Sequence, residues 1–295
     1  MSTLSPSRPV MRYLGGKFGS RGCLAEWIVS VLPEHRTYVE PFAGAASVLM
    51  RKRRSYAEVY NDLNEDVVNV FRVLRDPSQA EQLRTQLELT PFSRQEFDVA
   101  RMASDDPIER ARRSIFRSFA GFGSASANID YVTGFRANSN RSGTTPAHDW
   151  RAYPEVVPQF VDRLRGVVIE CRDAIEVMRH HDTPETLHYV DPPYLRSTRQ
   201  QGITRPGNPR QEYTHEYTDA EHEQLAEALH GLRGMVVLSG YPSAMYEALY
   251  ANWRRIDRAS FADGARPRTE CLWLNPAAQQ SRAESCRDLF EGEAS

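Results

Sequence analysis

The feature that most constrains this chain is an alternation of short apolar strand patterns with amphipathic helix patterns, in two separate blocks. The first block runs from residue 37 to residue 76, and the second from residue 166 to residue 275. Such alternation predicts an α/β fold, with a mostly parallel sheet, helices on both faces and right-handed crossovers. Ligands of these folds bind beyond the carboxyl ends of the strands, so residues that directly follow a predicted strand are candidates for a site.

Each block resolves into individual elements. The first predicts strands at 37–42 and 57–62 and helices at 46–53 and 66–76. The second predicts strands at 166–172, 186–190 and 234–241, helices at 173–181, 219–232 and 243–251, and late strands at 253–261 and 270–275. The segments that follow strands, and should share one edge of the sheet, are residues 40–45, Asp62, Asp173 and residues 191–194.

Residues 77–165 differ from both blocks. Strand patterns fade there into helical segments, including residues 107–119, and then into a stretch rich in Gly, Ser and Asn at 120–150. We therefore predict one discontinuous domain formed by residues 1–76 and 166–295, with residues 77–165 inserted as a helical domain.

Composition narrows the class of protein. With 40% apolar residues, the 295-residue chain can bury a substantial core. It has no apolar run of about 18 residues, so we expect neither a membrane span nor secretion, and we expect a cytoplasmic location. Its four cysteines lack paired spacing, which indicates neither a disulfide framework nor a zinc site. The net charge of −2 argues against a protein that coats nucleic acid indiscriminately, although a local basic face is compatible with it.

The motif Asp191-Pro192-Pro193-Tyr194 ends an apolar strand in a stiff turn. Proline cannot donate to a sheet ladder and biases the preceding residue towards an extended conformation, so pairing should stop at Asp191. An acceptor and an aromatic ring are thereby held at one strand end. Taken alone, the motif is also compatible with a strand-terminating turn that carries a solvated aspartate.

Two segments near the first block are suited to binding a nucleoside. In the turn at residues 40–47, Gly44 has no Cβ and lets a ligand approach the backbone, and the helix predicted after it would offer free N–H groups. Asp62 ends the second strand, where a carboxylate can accept both ribose hydroxyls. The alternatives are ordinary helix entry for the turn and helix capping for Asp62, and the fuller fingerprint G-x-G-x-x-G is absent.

Near the start of the chain, two glycines lie between Tyr13 and Lys17. The glycines permit a tight turn, Lys17 can bind a carboxylate, and Tyr13 can cover an aromatic or cationic ligand. Only Lys17 and Lys52 are lysines among the 37 basic residues. We attribute this bias to genomic composition, but Lys17 then marks a position where arginine was not substituted. By itself the segment is also compatible with a plain loop.

Together, RYLGGK (12–17), EPFAGAASV (40–48), YNDLNEDVVNVF (60–71) and DPPY (191–194), in this order, resemble the DNA adenine methylase (Dam) family of amino-methyltransferases. The later VVLSGY and RTECLWLN are similar to its closing strands. The resemblance implies a Rossmann-like S-adenosylmethionine-dependent methyltransferase sheet with a helical target-recognition insertion, which methylates the N6 of adenine in double-stranded DNA. The middle region departs from relatives that recognise GATC and is similar to a phage or prophage-like branch, so the target sequence is not transferable.

The resemblance also implies roles for individual residues. The predicted site for S-adenosylmethionine, or its product S-adenosylhomocysteine, comprises Tyr13, Lys17, Glu40, Phe42, Gly44, Asp62, Asp173 and Asp191. The predicted catalytic residues, which hold the target base, are Asp191, Pro192, Pro193 and Tyr194. Many relatives carry a second glycine after the first strand where this chain has Ala46, whose methyl group narrows the approach of the cofactor without blocking it.

The chemistry explains why such a turn is needed. An adenine amino group is a poor nucleophile because its lone pair is delocalised into the ring. The Asp191 side chain and the Pro192 carbonyl can each accept one N6–H and direct the lone pair at the methyl group, while Tyr194 stacks on the base. The reaction requires no metal, because the sulfonium is an activated leaving group, and the adenine must be flipped out of the duplex.

Two segments are suited to gripping DNA. Residues 107–151 carry seven arginines against three acids, and residues 195–211 carry four arginines and no acid. The predicted DNA contacts are Arg117, Arg136, Asn138, Arg141, Arg196 and Arg199. For most individual arginines, a solvated helix face or loop is the alternative.

Other functions stay open at this point. The same acceptors would serve cytosine N4 methylation, and a DNA-binding protein could keep the fold without catalysis. A nicotinamide-dependent oxidoreductase is disfavoured, because its fingerprint is absent. The sequence does not decide whether a partner restriction endonuclease exists. One site per chain makes a monomer sufficient, and a dimer is also compatible.

Overall fold

The computed structural model describes residues 6–18, 24–129, 133–138, 144–198, 216–262 and 266–291. A seven-stranded sheet runs through this part of the chain. Its strands are β1 (Thr37–Glu40), β2 (Ala57–Asn61), β3 (Val167–Glu170), β4 (Thr186–Val190), β5 (Met235–Gly240), β6 (Arg254–Ala262) and β7 (Arg266–Leu274). Across the sheet they lie in the order β3-β2-β1-β4-β5-β7-β6.

Five neighbouring strands, β3, β2, β1, β4 and β5, are parallel, and β7 runs antiparallel to both β5 and β6. The predicted α/β fold with a mostly parallel sheet is therefore confirmed. The strand order reverses between β1 and β4, because β2 and β3 lie on one side of this pair and β5 on the other. At such a switch point the loops after the two strands diverge and leave a crevice for a ligand.

Helices form most of the middle region and connect the strands. They are α1 (Leu24–Val31), α2 (Glu65–Arg75), α3 (Pro77–Leu89), α4 (Arg94–Val99), α5 (Pro107–Ala120), α6 (Pro146–Arg151), α7 (Val157–Leu164), α8 (Ala174–His180), α9 (Asp219–His230), α10 (Ala244–Leu249) and α11 (Pro276–Glu291). In the described ranges, no helix is long and apolar enough to cross a membrane.

The sheet buries both of its faces, as the alternation along β4 shows. Tyr189 packs in one hydrophobic cluster with Phe71 of α2, whereas the next residue, Val190, packs in another with Leu225 of α9. Successive side chains of a strand point to opposite faces, so the sheet carries apolar packing on each side. Because both faces of the sheet are covered, polar residues of a site are expected at the carboxyl ends of the strands.

The predicted helix at residues 46–53 is wrong, because the structure forms a series of turns there. Gly44 and Ala46 both have left-handed backbone angles, with φ of +48° and +53°. An L-residue in this region is strained, and a right-handed helix cannot begin through it. The chain therefore leaves β1 through a tight loop.

The basic run at residues 51–54, which ends this loop, is exposed at Arg53 and Arg54 but not at Lys52. Lys52 is buried, and its ammonium lies 2.7 Å from the Glu58 carboxylate of β2. Glu58 also binds Arg163 of α7, with 2.6 Å between Nη1 and Oε2. Burial raises the pKa of Glu58, but the two cations outweigh it and hold the pKa below its ordinary value. One carboxylate thus joins the loop, the sheet and the middle region.

The middle region packs as an extension of the core of the sheet. One hydrophobic cluster contains Phe116 of α5 and Phe160 of α7 together with Phe71 of α2 and Tyr38 of β1. The described residues of the two regions share this continuous core, and the core by itself marks no boundary between them. The division into a discontinuous domain and an inserted domain stays a prediction.

Residues 6–18 connect the middle region to the sheet. The Tyr153 hydroxyl donates to the Val10 carbonyl, and the Arg12 N–H donates to Ser118 Oγ of α5 at 3.2 Å. These bonds hold the RYLGGK segment against the carboxyl ends of β1 and β4, where it lines a cleft.

Candidate active site

A cleft of about 770 Å³, measured with its open mouth, lies at the switch point. The loops after β1, β2 and β4 form its walls, and residues 13–17 close one side. The predicted site residues that line it are Tyr13, Lys17, Glu40, Phe42, Gly44, Asp62, Asp191 and Pro193. Residues far apart in the sequence are thus brought together as the strand-end argument requires.

The loop after β1 is shaped around Gly44. The Tyr60 hydroxyl donates to the Gly44 carbonyl at 2.9 Å. A Cβ at Gly44 would lie 2.7 Å from Cδ1 of Tyr13, closer than nonbonded carbon atoms approach. The close approach predicted at Gly44 is therefore made by the aromatic ring of Tyr13, which forms part of the cleft wall.

Asp62 fastens this loop to the start of α2. Its Oδ2 accepts a hydrogen bond from Gly44 N at 2.8 Å, and its Oδ1 accepts one from Asn64 N at 2.8 Å. Asn64, not Asp62, is the cap of α2, because its side chain accepts from the N–H groups of Asp66 and Val67. The capping role considered for Asp62 therefore belongs to Asn64, two residues further along the chain, and Asp62 lines the cleft.

Glu40 is buried where β1 ends, with only 3% of the residue exposed. Its Oε2 accepts hydrogen bonds from the Tyr38 hydroxyl at 2.9 Å and from Leu49 N at 3.0 Å. Burial raises the pKa of Glu40 to about 8, which outweighs the lowering by these two hydrogen bonds. Near neutral pH, Glu40 therefore presents mostly a neutral carboxyl group to the cleft.

A buried polar cluster lies behind the strand end of β4. We call it the Lys17 cluster, and it consists of Lys17, Asp191, Tyr194, Ser239 and Glu270. Lys17 Nζ lies 2.5 Å from the Tyr194 hydroxyl, 3.0 Å from Asp191 Oδ1 and 3.1 Å from Glu270 Oε1. These three acceptors match the three N–H donors of an ammonium group. Lys17 was predicted as a cofactor ligand; it lines the cleft, and its ammonium also binds two carboxylates and a hydroxyl of the protein itself.

Glu270 and Ser239 were missed by the sequence reasoning. Ser239 Oγ donates to Glu270 Oε1 at 2.7 Å, and the Tyr194 hydroxyl also donates to that oxygen. The only signal was a single hydroxyl within the apolar strand at 235–240 and a single acid at the start of the apolar run at 270–275. That signal does not say which partners they meet, because the antiparallel pairing of β7 with β5 brings them to the site.

The Asp-Pro-Pro-Tyr turn divides its residues between the cleft and the interior. Asp191 and Pro193 line the cleft, whereas Pro192 and Tyr194 are buried and do not. The Tyr194 ring packs edge-on against Tyr241, with 4.6 Å between centroids. Burial raises the pKa of Asp191, although Lys17 opposes the shift. Stacking by Tyr194 and hydrogen bonding by the Pro192 carbonyl stay predictions.

Asp173 does not line the cleft. Its Oδ1 accepts hydrogen bonds from the N–H groups of Ile175 and Glu176, which begins α8. The following residue, Ala174, lines the cleft instead, and so does an aromatic pair of which the sequence predicted only Phe42. In that pair Tyr217 packs edge-on against Phe42, with 5.5 Å between ring centroids.

The arginines of the middle region mostly bind the protein itself. Arg117 is only 3% exposed, and its guanidinium donates to the carbonyls of Ala100 and Ala127, so its prediction as a DNA contact is wrong for this conformation. Arg136 donates to the Phe119 carbonyl at 3.2 Å and is half-buried. The solvated-face alternative also fails for α5, because Arg110, Arg112 and Arg113 pair with nearby acids.

The remaining predicted DNA contacts are at the surface or outside the described ranges. Asn138 and Arg196 are exposed. Arg141 and Arg199 lie outside the residues that the structure describes. Within the described ranges, no group of three or more His, Cys, Asp or Glu side chains is arranged to hold a metal ion.

The sheet order with its antiparallel β7, the cleft at the switch point and the Asp-Pro-Pro-Tyr turn at its edge define the class: the chain has the fold of S-adenosylmethionine-dependent methyltransferases. The model of one family, described as D12 class N6 adenine-specific DNA methyltransferase, matches residues 13–232, and the chain belongs to this family. The predicted resemblance is thereby confirmed.

Two curated relatives are each named DNA adenine methylase, and they come from Vibrio cholerae serotype O1 strains O395 and El Tor Inaba N16961. The chain is 24% identical to each of them over 199 residues. The match covers 65% of this chain and 66% of the length of each relative.

Proposed function

We propose that the protein is a site-specific DNA methyltransferase that transfers a methyl group from S-adenosylmethionine to the exocyclic N6 of an adenine flipped out of duplex DNA. The observation that carries the proposal is the Asp191 carboxylate, which lines the switch-point cleft while Lys17 binds it at 3.0 Å. Membership of the D12 class family supports adenine N6 as the acceptor.

The cleft fits the cofactor that this reaction needs. Asp62 presents a carboxylate suited to the two ribose hydroxyls, and Tyr13 and Phe42 present aromatic faces for a purine. When bound, S-adenosylmethionine supplies a methyl group on a sulfonium, which is an activated leaving group.

Asp191 prepares the amino group of the target base. Only an ionised carboxylate accepts an N6–H without competing as a donor, and burial disfavours that form. Lys17 opposes the effect of burial and favours the ionised form. The Pro192 carbonyl is the proposed second acceptor, and the two prolines limit backbone movement so that both acceptors keep their positions.

Double-stranded DNA is the proposed polymer substrate. Asn138 and Arg196, both exposed, are the described residues that we propose to contact it, and Arg141 and Arg199 are proposed from the sequence alone. A partner endonuclease, a dimer and a cytoplasmic, bacterial or phage-encoded origin also stay predictions from the sequence.

The test is to incubate the purified protein with methyl-labelled S-adenosylmethionine and mixed-sequence duplex DNA, and to identify the labelled nucleoside after digestion. Label in N6-methyladenine is expected. Label in N4-methylcytosine would replace adenine by cytosine as the target, and cofactor binding without label would contradict the proposed activity and favour a binding role.

Two variants connect this activity to the site. Asp191→Ala should abolish methyl transfer with little change in the Kd of the cofactor, because its carboxylate acts on the base. Asp62→Ala should raise the Kd about tenfold or more, since it loses the ribose contact and releases Gly44 N. Near-normal turnover in Asp191→Ala would show that another group is the acceptor.

A further inference from the structure

We propose that Glu270 of β7 is a positioning residue for methyl transfer: it shares the Lys17 ammonium with Asp191, and thereby leaves Asp191 basic enough to take the proton that N6 releases. This inference rests on the proposed function and deepens it. Glu270 belongs to none of the predicted sites, and it lies beyond residues 13–232, which the family model matches.

The geometry of the Lys17 cluster makes Glu270 its common acceptor. Glu270 Oε1 lies 3.1 Å from Lys17 Nζ and 2.7 Å from Ser239 Oγ, and it also accepts from the Tyr194 hydroxyl. Its side chain is only 3% exposed, so solvent screens its charge poorly. Glu270 thus holds both the lysine that binds Asp191 and the tyrosine of the catalytic turn.

Two carboxylates share one ammonium in this arrangement. Lys17 favours the ionised form of Asp191 and lowers its pKa, whereas the negative charge of Glu270 raises it. A Lys17–Asp191 pair without Glu270 would therefore keep Asp191 ionised but make it a weaker base.

The other titratable groups around Asp191 leave this balance intact near neutral pH. They are Glu40 of β1, Tyr189 of β4, Tyr194, Tyr241 and Tyr246 of α10. Burial raises the pKa of Glu40 to about 8 and raises the pKa of each of these tyrosines. The tyrosines are uncharged and Glu40 is mostly so, which leaves Lys17 and Glu270 as the principal charges acting on Asp191.

Methyl transfer requires such a base because it liberates one proton. The bond from N6 to the methyl carbon forms from the nitrogen lone pair, and the carbon–sulfur bond breaks with its electron pair remaining on sulfur. N6 then carries one proton too many, and Asp191 accepts it through the hydrogen bond already in place. The neutral Asp191 carboxyl later returns this proton to solvent through the cleft, and the side chain is 17% exposed.

The test is the titration of the Asp191 carboxyl in the cofactor-free protein, followed by carbon NMR with labelled aspartate and assigned from the signal missing in Asp191→Asn. Glu270→Gln should lower the pKa of Asp191 by about one unit, and Lys17→Met should raise it by about one unit. Glu270→Asp, which keeps a carboxylate with a shorter reach, should lower it by less than Glu270→Gln. Thr269→Ala, an exposed neighbour on the same strand, should leave it unchanged.

Kinetics give a second measure of the same balance. The acidic limb of the pH profile of kcat/KM should move in the same direction as the titration in each variant. The plateau rate of Glu270→Gln should fall by about threefold for each unit of lost basicity, following Brønsted behaviour.

Shifts of the same sign in Glu270→Gln and Lys17→Met, or no shift in either, would overturn the inference, because a merely structural role predicts no opposition. If Glu270→Gln does not fold, Glu270→Asp replaces it in this comparison, since its smaller shift has the same expected sign. The titration needs no turnover, so it is independent of whether the wild-type protein labels adenine, which tests the proposed function.

Discussion

Replacing Gly44 by alanine separates two reasons for a glycine in the loop after β1. The backbone angle φ at Gly44 is +48°, and a Cβ there would lie 2.7 Å from the Tyr13 ring. Gly166, which precedes β3, has a φ of +80°, but a Cβ there would meet nothing within 4 Å. Gly166→Ala is thus a matched control that carries the backbone cost without the steric one.

The two variants should differ in both stability and binding. A left-handed angle costs an L-residue about 1–2 kcal/mol, so Gly166→Ala should lower the free energy of unfolding by about that amount. Gly44→Ala should lose this and about 1–3 kcal/mol more, because the Tyr13 ring must move to make room. Since that ring lines the cleft, the Kd of S-adenosylhomocysteine should rise about tenfold in Gly44→Ala and stay near the wild-type value in Gly166→Ala.

Urea denaturation measures the stabilities and calorimetry measures the Kd values. In a Tyr13→Ala background the clash with the ring is absent, so Gly44→Ala should then lower the free energy of unfolding only as much as Gly166→Ala does. The interaction energy between Gly44→Ala and Tyr13→Ala should therefore be about 1 kcal/mol or more. Equal losses for the two single variants, or strict additivity with Tyr13→Ala, would refute the steric argument.

Other perturbations test the charged groups. Glu40→Gln should become progressively more stable than the wild type between pH 4.5 and about 8, because in this window folded Glu40 keeps a proton that the unfolded chain releases. The difference in the free energy of unfolding should grow by about 1.4 kcal/mol per pH unit. Urea midpoints that change in parallel with pH would contradict this. Arg196→Ala should reduce the slope of log affinity for DNA against log salt by about one, and an unchanged slope would remove Arg196 from the DNA contacts. Arg117→Ala should instead lower the free energy of unfolding by about 3 kcal/mol, because the Arg117 side chain is buried and donates to carbonyls. Glu58→Gln should cost about 3–5 kcal/mol because it leaves two buried cations without their carboxylate, while Glu81→Gln, a surface control, should leave the urea midpoint unchanged.

Local sequence patterns predicted the sheet well because they report on burial along one strand at a time. The period-2 and apolar patterns located all seven strands, and the strand-end rule brought Gly44, Asp62 and Asp191 to one cleft. The same reasoning failed at residues 46–53, where helical propensity favours a helix. The left-handed angles at Gly44 and Ala46, together with the packing of Tyr13, decide the loop instead.

Charged residues were the harder case, because their partners are distant in the sequence. A basic residue has the same pattern whether water, DNA or a buried carboxylate faces it, so Arg117 could not be recognised as an internal donor. The two lysines are instructive. Both Lys17 and Lys52 are buried against carboxylates. Composition bias favours arginine and does not explain a lysine at these positions. A buried site of this kind suits an ammonium group, which is more compact than a guanidinium.

The sequence by itself determined the α/β sheet, the position of the binding segments directly after its strands and the stiff acidic turn at the end of β4, since each of these follows from residues that are neighbours in the chain. Only the tertiary structure decided that Lys17 lies between Asp191 and Glu270. This arrangement depends on parallel pairing of β4 with β5 and antiparallel pairing of β5 with β7, which bring Asp191 and Glu270 together, and on the bonds that hold residues 6–18 against the middle region. Because Lys17 and Glu270 are buried and Asp191 is only 17% exposed, their charges act on one another strongly, and no local sequence pattern records this.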